Sequence, residues 1–267
     1  MQTFLLLVQE LALGSMATIA LLSLREIPGG FPSLIGHIAA ASWAVGGVVC
    51  LRLPIGAGRE AAPVLFGLAA ASLVCARLFL NDRHRAGTIL LGALVLVSGW
   101  ALVENGARLA ARFPAGALPL PLMAASLLGS ALVLGSALAA MILGHWYLIP
   151  PPLPFTHLVR AASVFLAACV VRTIFFAASI VWLARGPDPA IDAAFGRLLR
   201  VDGDVVFFAL RVFWGIIGPL VLAVLVLRTA RMKSNQSATG LLYVSLVFVL
   251  VGELLANFLL VESRLPL

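Results

Sequence analysis

Charged residues are scarce in this chain. They make up 11% of its 267 residues, whereas 62% are hydrophobic. Because a soluble domain is about a quarter charged, this composition excludes an ordinary soluble protein. Lysine occurs once, at Lys233, and all other basic residues are arginines. These arginines lie inside or at the ends of apolar segments rather than on one solvated face, so the net charge of +7 predicts no nucleic-acid partner.

Cysteine is also rare. Cys50, Cys75 and Cys169 lie in separate apolar segments and form no CxxC pair, which argues against a disulfide framework or a zinc site. We interpret them as buried structural thiols. The chain lacks Walker A, GxSxG and HExxH motifs, so it carries no visible machinery for phosphoryl transfer, serine hydrolysis or zinc proteolysis. No metal site is predicted.

Long apolar runs separated by Pro and Gly breakers dominate the sequence. A membrane-spanning helix needs about 20 largely apolar residues, and the runs are too long and uniform for the alternating strands of a barrel. They predict an all-α, polytopic membrane protein with a single integral membrane domain over residues 1–267. The eight predicted spans are residues 3–24, 31–53, 61–80, 88–110, 119–149, 156–184, 205–228 and 238–261.

The ends of the spans indicate how the chain is oriented. The first run lacks a positive leading segment and contains Glu10, so we interpret it as a retained helix rather than a signal peptide. Basic residues after the odd-numbered spans predict that both termini lie outside the cytoplasm, in a bacterial inner membrane. The acidic loop 185–204 predicts a short amphipathic helix around residues 191–199.

A faint internal repeat divides the chain into half-repeats 1–113 and 117–267. The string Leu11-x-Leu13-Gly14-Ser15 recurs 121 residues later as Leu132-x-Leu134-Gly135-Ser136. Four helices per half give both halves one orientation, which predicts two four-helix bundles related by an axis along the membrane normal.

Five ionisable residues lie within the predicted spans rather than at their ends: Glu10, Glu104, Arg172, Arg211 and Glu253. Each is unfavourable in hydrocarbon unless it is paired or functional. At 1.5 Å per helical residue they fall in the outer half of the bundle, so they are expected to converge, with Gln9, Asn105 and Asn257 completing the hydrogen bonds. The functional interpretation is a polar pocket for a quinol or for protons, and the alternative is a set of ion pairs that only fixes helix assembly.

Histidines and tyrosine at the opposite, cytoplasmic side form a second set of candidates. In Gly144-His145-Trp146-Tyr147, the aromatic residues are typical interfacial anchors, but His145 can also accept a proton, with Tyr147 as donor. His37 lies at a similar predicted depth. The two imidazoles are the candidate axial ligands if a haem b is bound.

Two resemblances accompany these patterns. Eight helices in two bundles, with polar residues near the outer face, resemble the NrfD-type membrane subunits of polysulfide-reductase-like complexes. That resemblance implies quinol binding, no haem in this chain, and electron transfer to an iron–sulfur partner subunit. The string His37-Ile-Ala-Ala-Ala-Ser-Trp43-Ala-Val-Gly46-Gly47 resembles a helix start of the CopD copper-resistance family.

We therefore predict a membrane subunit of a redox complex that binds quinol, in contact with lipid and redox partner subunits. Glu253 and Glu104 are expected to take protons, while Arg172 and Arg211 hold the acids ionised or bind a quinone oxygen. The alternatives are a small transporter or channel, which a discontinuous helix near Gly215 would favour, a structural assembly subunit, and a His-ligated haem protein.

Overall fold

The fold is built from helices alone over the part of the chain that the structure describes. This computed structural model describes residues 1–24, 26–54, 58–110, 120–148, 154–185, 189–199, 205–262, 265 and 267, and no β-strand occurs in these ranges. Eight helical segments are long and apolar enough to cross a bilayer, which confirms the all-α polytopic fold class. A helix suits lipid because it pairs its backbone polar groups within one segment.

The third span begins with a 3₁₀ turn, Arg59–Ala61, and the seventh contains a π-helical segment, whereas the other six spans are single α-helices. In chain order the elements are α1 (Gln2–Ala20), α2 (Gly30–Leu51), α3 (Ala62–Leu80), α4 (His84–Ala110), α5 (Leu120–Trp146), α6 (Thr156–Leu183), the short α7 (Pro189–Leu198), α8 (Val205–Val212), the π segment Phe213–Ile217, α9 (Gly218–Arg231) and α10 (Asn235–Glu262).

The predicted ends of the eight spans lie within four residues of the observed ends. The largest differences have simple causes. The first helix ends at Ala20 although the apolar run continues, because Leu22 and Leu24 are buried in the following loop instead of extending the helix. The fourth helix begins earlier than predicted, at His84, because polar residues form its first turn. The amphipathic helix of the acidic loop is present as α7.

The spans contact one another as two rings of four. In the first half, α1 contacts α2 and α4, while α3 contacts α2 and α4; in the second, α5 contacts α6 and α10, while α9 contacts both of these. The rings join mainly through α1 and α5, the two most buried spans, whereas α4 is the least buried. The half-repeat stays a prediction, and its boundary at residues 113–117 lies outside the described residues.

Close contact of α1 with α5 depends on two glycines. A Cβ atom added at Gly14 would overlap the carbonyl oxygen of Ala131, and one added at Gly135 would overlap the backbone of Gly14. Small residues allow such backbone contact where lipid supplies no hydrophobic driving force between helices. The recurring Gly-Ser strings of the sequence therefore lie against each other at the centre of the bundle.

Candidate functional site

Three buried charged side chains meet in the half of the bundle that carries both chain termini. Glu253 of α10 is held from two sides. Arg172 of α6 places its Nη2 atom 3.3 Å from Oε2, and Arg211 of α8 places its Nη1 atom 3.3 Å from Oε1. Ser130 of α5 donates to Oε2 at 2.7 Å. Both carboxylate oxygens therefore have donors, and this network ties together spans five to eight.

Arg172 also reaches two acceptors outside the carboxylate. Its Nη1 atom donates to the hydroxyl of Ser126 at 3.2 Å, and its Nη2 atom donates to the backbone oxygen of Leu267 at 2.9 Å. Ser126 and Ser130 are four residues apart on α5, so their hydroxyls share one helix face. Neither serine was among the predicted site residues. A pair of hydroxyls four residues apart in an apolar helix was the available signal.

Room for the second guanidinium comes from the π segment. Gly252 packs against Gly215, and a Cβ at Gly215 would overlap the guanidinium of Arg211. Pro219 lacks an N–H, and in a regular α-helix its ring would clash with the carbonyl of Gly215; the wider π turn relieves this clash. The seventh span, the candidate for a discontinuous helix, thus stays helical through its Gly-Pro step.

Glu10 of α1 lies beside the arginine network. Asn257, one turn after Glu253 on α10, donates its side-chain N–H to Glu10 Oε2 at 2.7 Å. Glu10 is fully buried and interacts electrostatically with Glu253, Arg172 and Arg211. Its second oxygen, Oε1, has no hydrogen-bond partner among the described residues. The acid is therefore positioned by one bond and retains a free acceptor.

Gln9 precedes Glu10 and forms the connection to α4. Its Oε1 atom accepts a hydrogen bond from Asn105 at 3.1 Å, whereas its Nε2 group has no partner within the described part of the chain. Nε and Nη2 of Arg211 are likewise unpartnered there. An unsatisfied buried polar group is unfavourable by about 1–3 kcal/mol. A polar ligand that hydrogen-bonds to these atoms would therefore be bound most favourably here.

Glu104 does not join the cluster. It accepts a hydrogen bond from Arg108, four residues later on the same helix, at 3.1 Å, and both side chains are partly exposed. The expectation that all five ionisable residues converge is therefore wrong for this residue. The reason is the rotation of α4, which turns Glu104 away from the core.

The histidines and Tyr147 lie away from the buried cluster. Nδ1 of His37 donates to the carbonyl of Ser33 at 2.8 Å, and His145 hydrogen-bonds the hydroxyl of Tyr243 at 3.2 Å. Tyr147 donates to the backbone oxygen of Pro154. The two imidazoles thus have separate partners. Over the described residues, no group of three or more His, Cys, Asp or Glu side chains is arranged to hold a metal ion.

Tyr147 should titrate above ordinary tyrosine, because burial raises the pKa of its phenol. The chain has two tyrosines, so in a Tyr243→Phe variant Tyr147 titrates alone. We expect its ultraviolet absorbance to change with a midpoint above the usual value of about 10. A midpoint at or below that value would contradict the burial, and Tyr147→Phe should remove the transition.

Two openings lie along the seam between α1 and α4, on either side of the Gln9–Asn105 bond. A small cavity of about 30 Å³ lies toward the chain termini, and a cleft of about 420 Å³ lies toward the middle of the bundle. The small cavity is lined by Gln2, Leu5, Leu6, Gly58, Asn105, Arg108 and Leu109. The cleft is lined by Leu13, Gly14, Ala17, Val95, Leu96, Gly99, Trp100, Val103, Leu128, Ala131 and Leu132.

Compared with known proteins, the chain matches no protein-family model and no curated protein sequence. The buried cluster and the two openings beside it are therefore the features of the protein that bear on its function.

Proposed function

We propose that this polytopic membrane protein is the quinol-binding subunit of a redox complex. The observation that carries the proposal is that Gln9 and Glu10, consecutive buried residues of α1, have a donor (Nε2) and an acceptor (Oε1) without a hydrogen-bond partner among the described residues. A quinol headgroup offers the complementary hydroxyl and oxygen atoms. We place the complex in a bacterial inner membrane with both termini outside the cytoplasm.

Proton transfer is assigned to Glu10 rather than to Glu253. Both oxygens of Glu253 already accept from Arg172, Arg211 and Ser130, so this carboxylate is held ionised as part of a scaffold. A general base needs a free acceptor within hydrogen-bond reach of the proton that it takes. Among the described residues, Glu10 and Glu253 are the buried acids, and of these Glu10 has an oxygen without a hydrogen-bond partner.

Oxidation of a quinol releases two electrons and two protons. Glu10 accepts the protons in turn. Each then leaves toward the cavity of about 30 Å³ that Leu6, one turn before Glu10 on α1, helps to line, a volume that accommodates water. The two electrons would pass to a redox centre of a partner subunit, which the NrfD-type resemblance implies is an iron–sulfur cluster. The quinone that remains leaves between α1 and α4, whose polar link is the bond from Asn105 to Gln9.

Quinol turnover by the complex should fall by about 100-fold in Glu10→Gln, the range in which positioned acid–base groups contribute. The amide still accepts from Asn257, so the folded protein and its bound quinone should be retained. Turnover is measured with the intact complex, and bound quinone by extraction and chromatography. Glu104→Gln makes the same chemical change in a partly exposed ion pair and should leave turnover within about twofold.

Unchanged turnover in Glu10→Gln would contradict the proposed role of Glu10 as the proton acceptor.

A transporter is the second candidate, because a π segment beside a buried arginine is typical of a functional site. A protein that purifies without redox subunits and carries solute into liposomes would replace the redox proposal. The haem alternative with His37 and His145 is tested by an absorption spectrum, in which a Soret band would support it.

A further inference from the structure

The cleft between α1, α4 and α5 is apolar throughout. All of its lining residues are aliphatic, glycine or tryptophan, so the indole N–H of Trp100 is the one side-chain hydrogen-bonding group among these lining residues. Leu96 and Trp100 are 76% and 71% exposed on the outer surface of α4, the part of a spanning helix that faces hydrocarbon. The cleft therefore opens sideways toward lipid.

The cleft lies one helical turn beyond the polar pair. On α1, the lining residues Leu13, Gly14 and Ala17 follow Glu10 by three, four and seven residues, which places all four on the same helix face. One turn corresponds to about 5.4 Å along the axis. A molecule that fills the cleft and extends by one turn therefore brings its end to Glu10.

The space exists because small residues face each other while α4 remains at a distance. Gly14 and Ala131 bring α1 and α5 into contact. On α4, a Cβ added at Gly99 would meet nothing closer than a methyl carbon of Leu128 at 3.9 Å. The opening forms because α1 and α5 pack closely on one side, while Gly99 of α4 has no side chain to fill the space on the other.

We propose that this cleft binds the isoprenoid tail of the quinol, an inference that rests on the proposed function. The volume of about 420 Å³ is that of a small-molecule site, and its lining suits a hydrocarbon chain alone. Glu10 lies eight residues into α1, about 12 Å from its start. A neutral quinol headgroup reaches that depth more readily than a phospholipid headgroup, whose phosphate stays at the interface.

Filling the cleft is the test, with Gly99→Phe compared with Gly92→Phe. Gly92 lies seven residues earlier on α4, and a Cβ there meets nothing within 4 Å, so both variants add the same ring to open space. Gly99 lines the cleft, whereas Gly92 is not among its lining residues. In the intact complex, Gly99→Phe should raise KM for a long-tailed quinol by about tenfold or more, since displaced methylene groups lose their burial. KM for a short-tailed analogue and both constants of Gly92→Phe should stay within about twofold.

The outcomes separate the two proposals. If the unmodified complex neither binds quinone nor oxidises quinol, the proposed function fails. If it does both, but Gly99→Phe and Gly92→Phe behave alike toward long- and short-tailed quinols, the tail site is wrong while the function stands. If Gly99→Phe loses copurified phospholipid and keeps its quinone, as measured by mass spectrometry of extracts, an acyl chain occupies the cleft and the inference is overturned.

Discussion

Glu253→Leu should destabilise the folded bundle by about 3–5 kcal/mol, because removing one partner of a buried ion pair leaves the other charges uncompensated. Here two guanidinium groups, from Arg172 and Arg211, would lose the carboxylate that they share. The free energy of unfolding can be measured by denaturant titration of the purified protein in detergent. Glu262→Leu is the matched control, since it makes the same change at an exposed position on the same helix.

A triple variant tells whether the network is needed for folding or for something further. Replacing all three charges together, with Arg172→Met, Arg211→Met and Glu253→Leu, removes the uncompensated charge and should recover most of the lost stability, as apolar substitution of buried ion networks does elsewhere. If Glu253→Leu alone leaves the unfolding free energy unchanged, the network is not the scaffold that positions Asn257 and Glu10.

Gly135→Ala should have an effect of similar size. Overpacking a core typically destabilises by about 1–3 kcal/mol when side chains can adjust. The added Cβ would instead overlap the backbone of Gly14, which cannot move aside without separating α1 from α5. We therefore expect a loss of about 3 kcal/mol or more, seen as a lower unfolding midpoint and reduced recovery of folded protein.

Gly240→Ala is the control for this substitution. Gly240 lies in α10, and a Cβ added there meets nothing within 4 Å. Alanine is a better helix former than glycine by about 0.8–1.0 kcal/mol, so this variant should be as stable as the original protein or slightly more so. Equal behaviour of Gly135→Ala and Gly240→Ala would mean that α1 and α5 do not touch at their glycines.

The eight spans were predictable because the mean hydropathy of a segment depends on its own residues and not on the helices that pack around it. Convergence of Glu253 with Arg172 and Arg211 was also predictable in kind, since hydrocarbon makes separated charges costly. The predicted depth of Glu104 in the membrane is similar to that of the other four ionisable residues, so depth did not indicate that Glu104 lies apart from the cluster. Its partner Arg108 lies one turn away on the same helix. The apolar residues of α4 show no helical periodicity, so the sequence does not indicate which side of this helix faces the core.

Composition and segment length by themselves determined that this protein is an eight-span helical membrane protein with charges that require partners. Only the tertiary structure decided which partners they have. Two serines of α5 complete the arginine network, one oxygen of Glu10 finds no partner in the described part of the chain, and an apolar cleft opens one turn away. The physical reason is that contact with lipid is equally favourable for apolar side chains on every face of a helix. Position along the sequence therefore indicates how deep a residue lies in the membrane, whereas the rotation and packing of the helices determine which groups it contacts.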